Sequence, residues 1–449
     1  MKEKALVLLI EHKVRELGEL LSSLEPSDIA EMMADFPAEV LPLIFRLLSK
    51  DLAAQTFVEM DSEMQKRLID AFSDLELKDV FDRLFLDDTV DIIEEMPANV
   101  VQRIIKGCSA EKRRVINEVL SYPDDSAGSI MTIEYVSLKP EMTVSDAFET
   151  IRRTGVDKET IYTCYVTDND RHLIGLVTAK DLMLARPDDK VSRMMETNVI
   201  SVNTIADKKE AAETISKYDF LALPVVDSEN RLVGIVTVDD AIDVITEAAE
   251  DDFAKMAAIE PMEHSYFRTG VFTHSRKRIV WLLVLMLSAT VTGAIITAYE
   301  EAFAALPLLI ASLPMLMGTG GNCGSQASTM VIRGLALGEI EPRDVLRVLW
   351  KEMRIGLLIG LALAVVNTGR IFVTYNDSPD KLMLALVTGV TLIAVVLIAK
   401  ALGCMLPLLA KKLKLDPALM ASPLLATVCD TCVVLIYFNI ATLVMGLGI

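Results

Sequence analysis

From Ile279 to Tyr299 the chain runs 21 residues without a charged side chain, and that run decides more about the fold than any other stretch. As a helix rising about 1.5 Å per residue it reaches about 30 Å, enough to cross the hydrocarbon core of a bilayer. Four more apolar stretches follow, roughly Ala302 to Ile332, Ile355 to Tyr375, Leu382 to Leu409 and Pro417 to Ile449. Five spans place the two ends of the chain on opposite sides of the membrane. Arg276, Lys277 and Arg278 precede the first span; Arg333, Arg343, Arg347, Lys351 and Arg354 lie between the second and third; Lys411, Lys412 and Lys414 lie between the fourth and fifth. The opposite loops carry Glu300, Glu301, Asp377 and Asp380 against Arg370 and Lys381. Basic loops stay on the cytosolic side, so the part before the first span is expected in the cytosol and the C-terminus outside.

The second span contains PMLMGTGGNCGSQ, Pro314 to Gln326, with glycine at 318, 320, 321 and 324. Glycine allows close backbone approach and unusual conformations, and non-helical backbone at membrane depth survives only where protein or a water-filled cavity surrounds it. Two readings stand: a broken helix lining a conduction path, or a helix interface built on small residues. The stretch has no charged group, so a carboxylate facing an ion must come from elsewhere. The fifth span supplies one, Asp430 in PLLATVCDTCVVLIYF. A carboxylate in mid-bilayer costs about 2.5–3.5 kcal/mol on insertion scales and usually marks an ion or substrate path. Lys400 in the fourth span is deep enough to pair with it, and could instead snorkel to the cytosolic edge. Ser422, Pro423, Ala426 and Thr427 offer a kink and small groups beside Asp430. None of the four histidines lies in a span. The donor set is therefore oxygen-rich and sparse, which matches hydrated Mg2+ better than Ca2+ or Zn2+. Two chains with Asp430 on a shared axis would bring two carboxylates to one ion.

The soluble part is strongly acidic. The first 270 residues hold 30 of the 44 Lys+Arg and 54 of the 64 Asp+Glu, net −24, against +4 for the rest. Such a surface excludes nucleic acid as a partner and repels itself unless cations neutralise it. The six cysteines are scattered, and Cys429 and Cys432 read as small packing residues, which fits a reducing compartment or a membrane interior. The short apolar run near the N-terminus is not a signal peptide.

Residues 1–122 read as successive amphipathic helices, with Ser27, Asp61 and Asp87 placed to cap them. Residues 123–244 switch to strands alternating with helices and contain a repeat: YVTDNDRHLIGLVTAKDL from Tyr165 returns 59 residues later as PVVDSENRLVGIVTVDDA from Pro224. Residues 245–270 form an acidic connecting helix running towards the membrane domain, 271–449. Asp243, Glu247, Glu250, Asp251, Asp252 and Glu260 crowd this region, and like charges at i,i+4 destabilise a helix unless something screens them.

The repeat resembles a tandem CBS pair, a module that commonly senses adenine nucleotides. In that family Thr178 with Asp181, and Thr237 with Asp240, would hold a ribose; the same pairs are equally suited to capping the helix that follows. The whole chain resembles the MgtE family of magnesium channels. Two membrane motifs carry that likeness: Pro314, Gly318 to Asn322, Gly324 and Gln326, and Asp416 to Leu419 with Pro423 to Asp430. The resemblance implies a multidomain membrane protein with an all-α N-terminal superhelical domain, an α/β CBS pair and a helical transmembrane domain of five spans. It implies a homodimer in the plasma (cytoplasmic) membrane that conducts Mg2+ at the dimer axis, holding the ion at Asp430 and the Ala426 backbone beside a pore lined by Pro314, Gly318, Gly320, Gly321, Asn322, Gly324 and Gln326. It also implies closure by cytosolic Mg2+ at Asp87, Asp91, Asp219, Asp240, Asp243, Asp251 and Asp416; the CBS likeness leaves ATP at that pair as an open alternative to capping. Gln55, Lys209 and Ala248 stand where the family has acidic groups, which implies fewer or weaker regulatory sites. No phosphate-loop or hydrolytic motif is present, so an enzyme is not expected. The rivals are a membrane-anchored nucleotide sensor and a gradient-coupled divalent cation exporter.

Overall fold

The computed structural model describes residues 2–260, 266, 269–299, 307–420 and 422–445, and it divides into two compact units, residues 1–246 and 247–449. Glu263 in the acidic connection, Glu300, Glu301, the expected start of the second span at Ala302, and the end of the fifth at 446–449 lie outside the described residues.

The first unit opens with short helices from Lys2–Ile10 to Ala110–Val119. Each turns an apolar stripe inward, and Phe45, Phe57, Phe72 and Phe81 meet ring to ring at the centre of that core. Ser49, Asp61, Ser73 and Ser109 cap helices by accepting from backbone N–H groups three residues on. Ser27 and Asp87 do not cap. Their helices begin at Pro26 and Leu86, so both lie inside a first turn.

Two three-stranded sheets follow. In each, a strand pairs in parallel with the next, which hairpins into a third: β1 (Val136–Leu138), β2 (Thr163–Thr167), β3 (Leu173–Thr178), then β4 (Val202–Asn203), β5 (Ala222–Val226), β6 (Leu232–Thr237). The register repeats with the sequence. Cys164 pairs with Val177, and Leu223 with Val236, so the 59-residue offset holds at the level of individual pairs. After β6 one 19-residue helix, Val238–Met256, runs on without a break into the acidic connection.

Among its described residues the second unit has five long helices, Val271–Ala298, Leu313–Ala336, Val345–Thr374, Lys381–Lys412 and Ser422–Met445. Among the described residues, four segments, containing the first, third, fourth and fifth of these helices, are long and apolar enough to cross a membrane. The other, Leu313–Ala336, is diluted by glycine, Asn322 and Gln326. That helix decides between the two readings: the glycine stretch does not break it, and Pro314 to Gln326 are helical throughout. The glycines act on packing instead. A Cβ added at Gly320 would meet Val433 at 2.7 Å, and one at Gly324 would meet Cys429 Sγ at 3.1 Å and the Ala399 carbonyl at 3.3 Å. Opposite Gly324, a Cβ at Gly403 would come within 2.3 Å of the Gly324 carbonyl oxygen. The second helix is thus clamped between the fourth and fifth at nearly backbone distance, as small residues allow in membranes. Pro423 departs from expectation. It sits in the first turn of its helix, where proline is tolerated, and does not kink it.

Gly403→Ala should therefore force two helices apart and cost about 1–3 kcal/mol of overpacking. Gly318→Ala meets nothing within 4 Å and serves as the control. Thermal unfolding of the detergent-solubilised protein should show a lower midpoint for Gly403→Ala alone; equal midpoints would contradict the clamp.

Candidate cation sites

The helix Leu86–Glu95 brings Asp87, Asp88 and Asp91 against the start of the helix Val238–Met256, which carries Asp239, Asp240 and Asp243. Asp87 is only 6% exposed. Burial, then Asp240, Asp88 and Glu159, raise its carboxyl well above the ordinary range. Burial first and neighbouring carboxylates next push Asp88 to about 6 and Asp91 to about 7. At Asp240 the same two causes reach about 7 against the opposing bond from Thr237. Glu159 reaches about 8, by burial and then Asp239, and its Oε2 is buried with no hydrogen-bond partner among the described residues. Burial, Asp239 and Glu59 raise Asp243 as well. Nearby Lys112 spends its ammonium on the Phe81 and Leu84 carbonyls at 2.5 and 2.7 Å. The seam is thus a set of carboxylates short of positive charge, which a hard divalent cation can supply.

Four of the seven predicted regulatory residues, Asp87, Asp91, Asp240 and Asp243, meet here. Asp88, Asp239, Glu159 and Glu59 meet them and were not singled out by the sequence. Glu59 lies one helical turn beyond Gln55 and supplies a carboxylate close to where that glutamine lacks one. Asp219 is not brought in: it is exposed and takes the left-handed C-cap of the helix Lys208–Tyr218, at φ 56°.

Asp251 and Asp416 come together in the second unit. With Asp252 they bring carboxylate oxygens within 4.8 Å of one another. Lys255 stands between them, its Nζ 2.5 Å from Asp251 and 2.7 Å from Asp416. Burial opposes its charge, but the two carboxylates prevail and raise its pKa. A second group, Asp168, Asp170 and His172, lies in the β2–β3 turn. There Asp168 accepts from the Asp170 and His172 N–H groups, both at 2.9 Å, which accounts for the cluster as turn chemistry.

The CBS hydroxyl–carboxylate pairs are both closed on themselves. Thr178 and Asp181 form a reciprocal capping box. Thr237 donates to Asp240, which also leans into the acidic seam.

In the fifth long helix Asp430 is half-buried and makes no hydrogen bond or ion pair among the described residues. Its neighbours fix its direction. Cys429 packs on Gly324, and Thr431 bonds to Thr292 of the first long helix at 2.8 Å. Successive helical residues are about 100° apart, so Asp430 points into the sector between those two contacts. Ala426 and Thr427 share its face one turn towards the helix start, and Ala426 lies against Gly321, where an added Cβ would find it at 3.5 Å. The alternative pairing of Asp430 with Lys400 does not occur. Lys400, 5% exposed, is held by Glu352 of the third long helix at 3.3 Å.

The glycine motif divides by face. Gly320, Gly321 and Gly324 are buried in the clamp, whereas Pro314, Gly318, Asn322 and Gln326, spaced four apart, form an exposed stripe. Two amides uncovered at membrane depth require a polar neighbour, water or another chain.

A family model described as a divalent cation transporter matches residues 313–440, one described as the MgtE intracellular N domain matches 24–125, and CBS domain models match 127–188 and 191–247. The chain is 36% identical over 453 residues to the magnesium transporter MgtE of Thermus thermophilus, covering 99% of each. It is 31% identical to that of Bacillus subtilis, covering 98% of this chain and 96% of the relative. Among solved structures, the cytosolic domain of the Mg2+ channel MgtE in complex with ATP superposes with a TM-score of 0.52 at 34% identity, over 54% of this chain and 100% of that one. The soluble part of a magnesium transporter gives 0.52 at 30%, over 55% and 98%.

The seam predicts a pH dependence of definite sign. Its raised pKa values mean that between about pH 4 and 8 the folded protein holds protons an unfolded chain has released, so stability falls as pH rises through that window. In metal-free full-length protein, hydrogen exchange in Leu86–Glu95, corrected for intrinsic rates, should accelerate from about pH 5.5 to 8, and a divalent cation should suppress the change. Protection independent of pH would contradict this.

Proposed function

This chain belongs to the MgtE family of divalent cation transporters, and from that premise we propose how its own residues conduct and meter the ion. It is a Mg2+ transporter, not an enzyme, with a cytosolic N-terminal domain and CBS pair ahead of a helical membrane domain. The observation that carries the proposal is Asp430: a carboxylate without a counter-charge among the described residues, held by glycine packing in a sector between helices.

Mg2+ keeps its hydration shell tightly, so Asp430 receives the hydrated ion through hydrogen bonds to its waters, with the Ala426 backbone beside it. The uncovered Pro314, Gly318, Asn322 and Gln326 stripe supplies amides for the same waters. One carboxylate per chain leaves half of a dication's charge unmatched, so the pore lies on the axis of a homodimer, with the C-terminus outside. Regulation uses the seam. When cytosolic Mg2+ is abundant it neutralises Asp87, Asp91, Asp240 and Asp243 together with Asp88, Asp239 and Glu159, and holds the acidic helix in its closed position. When Mg2+ is scarce, repulsion among these groups releases it; the ion shifts the gate only by its differential affinity for the two states. The CBS pair also takes an adenine nucleotide, as the similar cytosolic domain solved with ATP does. Thr178 and Asp181 are the freer of the two pairs for that ligand, since Asp240 serves the seam.

Vesicles reconstituted with Asp430→Ala should show Mg2+ uptake at background, with the variant still eluting as folded protein. Uptake at the wild-type rate would remove Asp430 from the path.

A further inference from the structure

Lys400 is the charge the transport reading leaves unused, and its surroundings are built for it. It lies in the fourth long helix, 5% exposed. Its stem runs along the third, where Gly356 makes room: a Cβ there would meet Lys400 Cγ at 3.4 Å. One turn from that glycine, Glu352 receives the ammonium, with Nζ and Oε2 3.3 Å apart and side chains 6% and 12% exposed. Glu352 Oε2 has no hydrogen-bond partner, so among the described residues this carboxylate's balancing charge comes from Lys400. Such a pair is a poor way to hold two helices together. Apolar residues of similar volume pack as well or better without desolvating charge, so a pair this deeply buried at the cytosolic end of the membrane domain calls for a role other than packing.

The pair stands one helix behind the ion path. Ala399, the residue before Lys400, presents its carbonyl to Gly324, and Gly324 packs on Cys429, which precedes Asp430. An unmasked lysine in this layer would repel an incoming dication. An unmasked glutamate would attract it.

We propose that Glu352 and Lys400 are positioning residues of permeation, a mutually masked pair that keeps the layer behind Asp430 electrically neutral and so sets the Mg2+ concentration at which transport half-saturates. The inference rests on Asp430 being the ion site. A unit charge acts on a dication across a helix spacing of about 10 Å. In a partly aqueous medium that shifts the half-saturating concentration on the order of tenfold.

The test measures Mg2+ uptake into vesicles over a concentration series for Glu352→Gln, Lys400→Gln, the double variant and Glu352→Asp. Glu352→Gln should raise the half-saturating concentration and Lys400→Gln should lower it, each about tenfold. The double variant and the charge-conserving Glu352→Asp should stay close to wild type. A merely structural clamp predicts something else: both single variants lose maximal rate in the same direction while half-saturation stays put, and that result would overturn the proposal. Should Glu352→Gln fail to fold, the lowered half-saturation of Lys400→Gln still decides the matter, because loss of packing does not improve ion capture. Asp430→Asn in the same series separates the two levels. If it transports normally, the ion-site reading fails and this inference with it; if it is silent and the pair variants show no opposed shifts, only this inference fails.

Discussion

A carboxylate removed from bulk water must find a cation, share a proton or repel its neighbours, and the arrangement of this protein follows from how each buried acid meets that demand. Some are answered from within the chain. Lys255 bridges Asp251 and Asp416, and Lys400 answers Glu352. Others are not. Asp430 has no counter-charge among the described residues, and the carboxyls around Asp87, Asp91 and Asp240 have raised pKa values, so they carry charge only at higher pH than ordinary carboxylates do. The unanswered groups are where a mobile dication fits, one in the membrane domain and one set in the cytosolic part.

The two scaffolds differ because their solvents do. In the membrane domain backbone groups must be satisfied within each helix, so position is fixed by how closely helices approach. Gly320, Gly324 and Gly403 let the second helix press against the fourth and fifth, which fixes the rotation of the helix bearing Asp430. In the cytosolic part, burial of apolar surface drives assembly. The amphipathic helices and the two sheets then hold carboxylates from distant parts of the chain against one another in spite of their repulsion.

Much of this was legible in the sequence, for physical reasons. Uncharged runs of membrane length have few alternatives, so the spans were readable; the third begins earlier than its apolar core because Val345 to Arg354 continue the helix with basic residues. The 59-residue repeat was readable in hydrophobic pattern and turn, and the strand pairs repeat at the same offset. Asp430 stood out because a carboxylate in an apolar helix is costly, and its one bland explanation, a pair with Lys400, needed a long-range contact to settle. The glycine stretch stayed open, since a run rich in glycine is compatible with both a broken helix and a clamped one, and only the neighbouring side chains decide. Long-range partners were likewise hidden. No local pattern ties Lys400 to Glu352 rather than Asp430, or Lys255 to Asp416, and Asp88, Asp239 and Glu159 look like ordinary surface acids until the fold stacks them. The full-length match to magnesium transporters leaves no place for the membrane-anchored sensor among the sequence-level rivals.

The central claim, that buried acids short of positive charge are what Mg2+ completes, has a direct measure in protons. A seam whose carboxyls titrate between about pH 6 and 8 is partly protonated near neutrality, and a cation that binds there must displace those protons. Calorimetric titration of the full-length protein with Mg2+ at pH 7, in buffers of different ionisation enthalpy, reads that release. The account predicts net proton release that shrinks as the pH is raised towards 9. Binding heats that are the same in every buffer would contradict it.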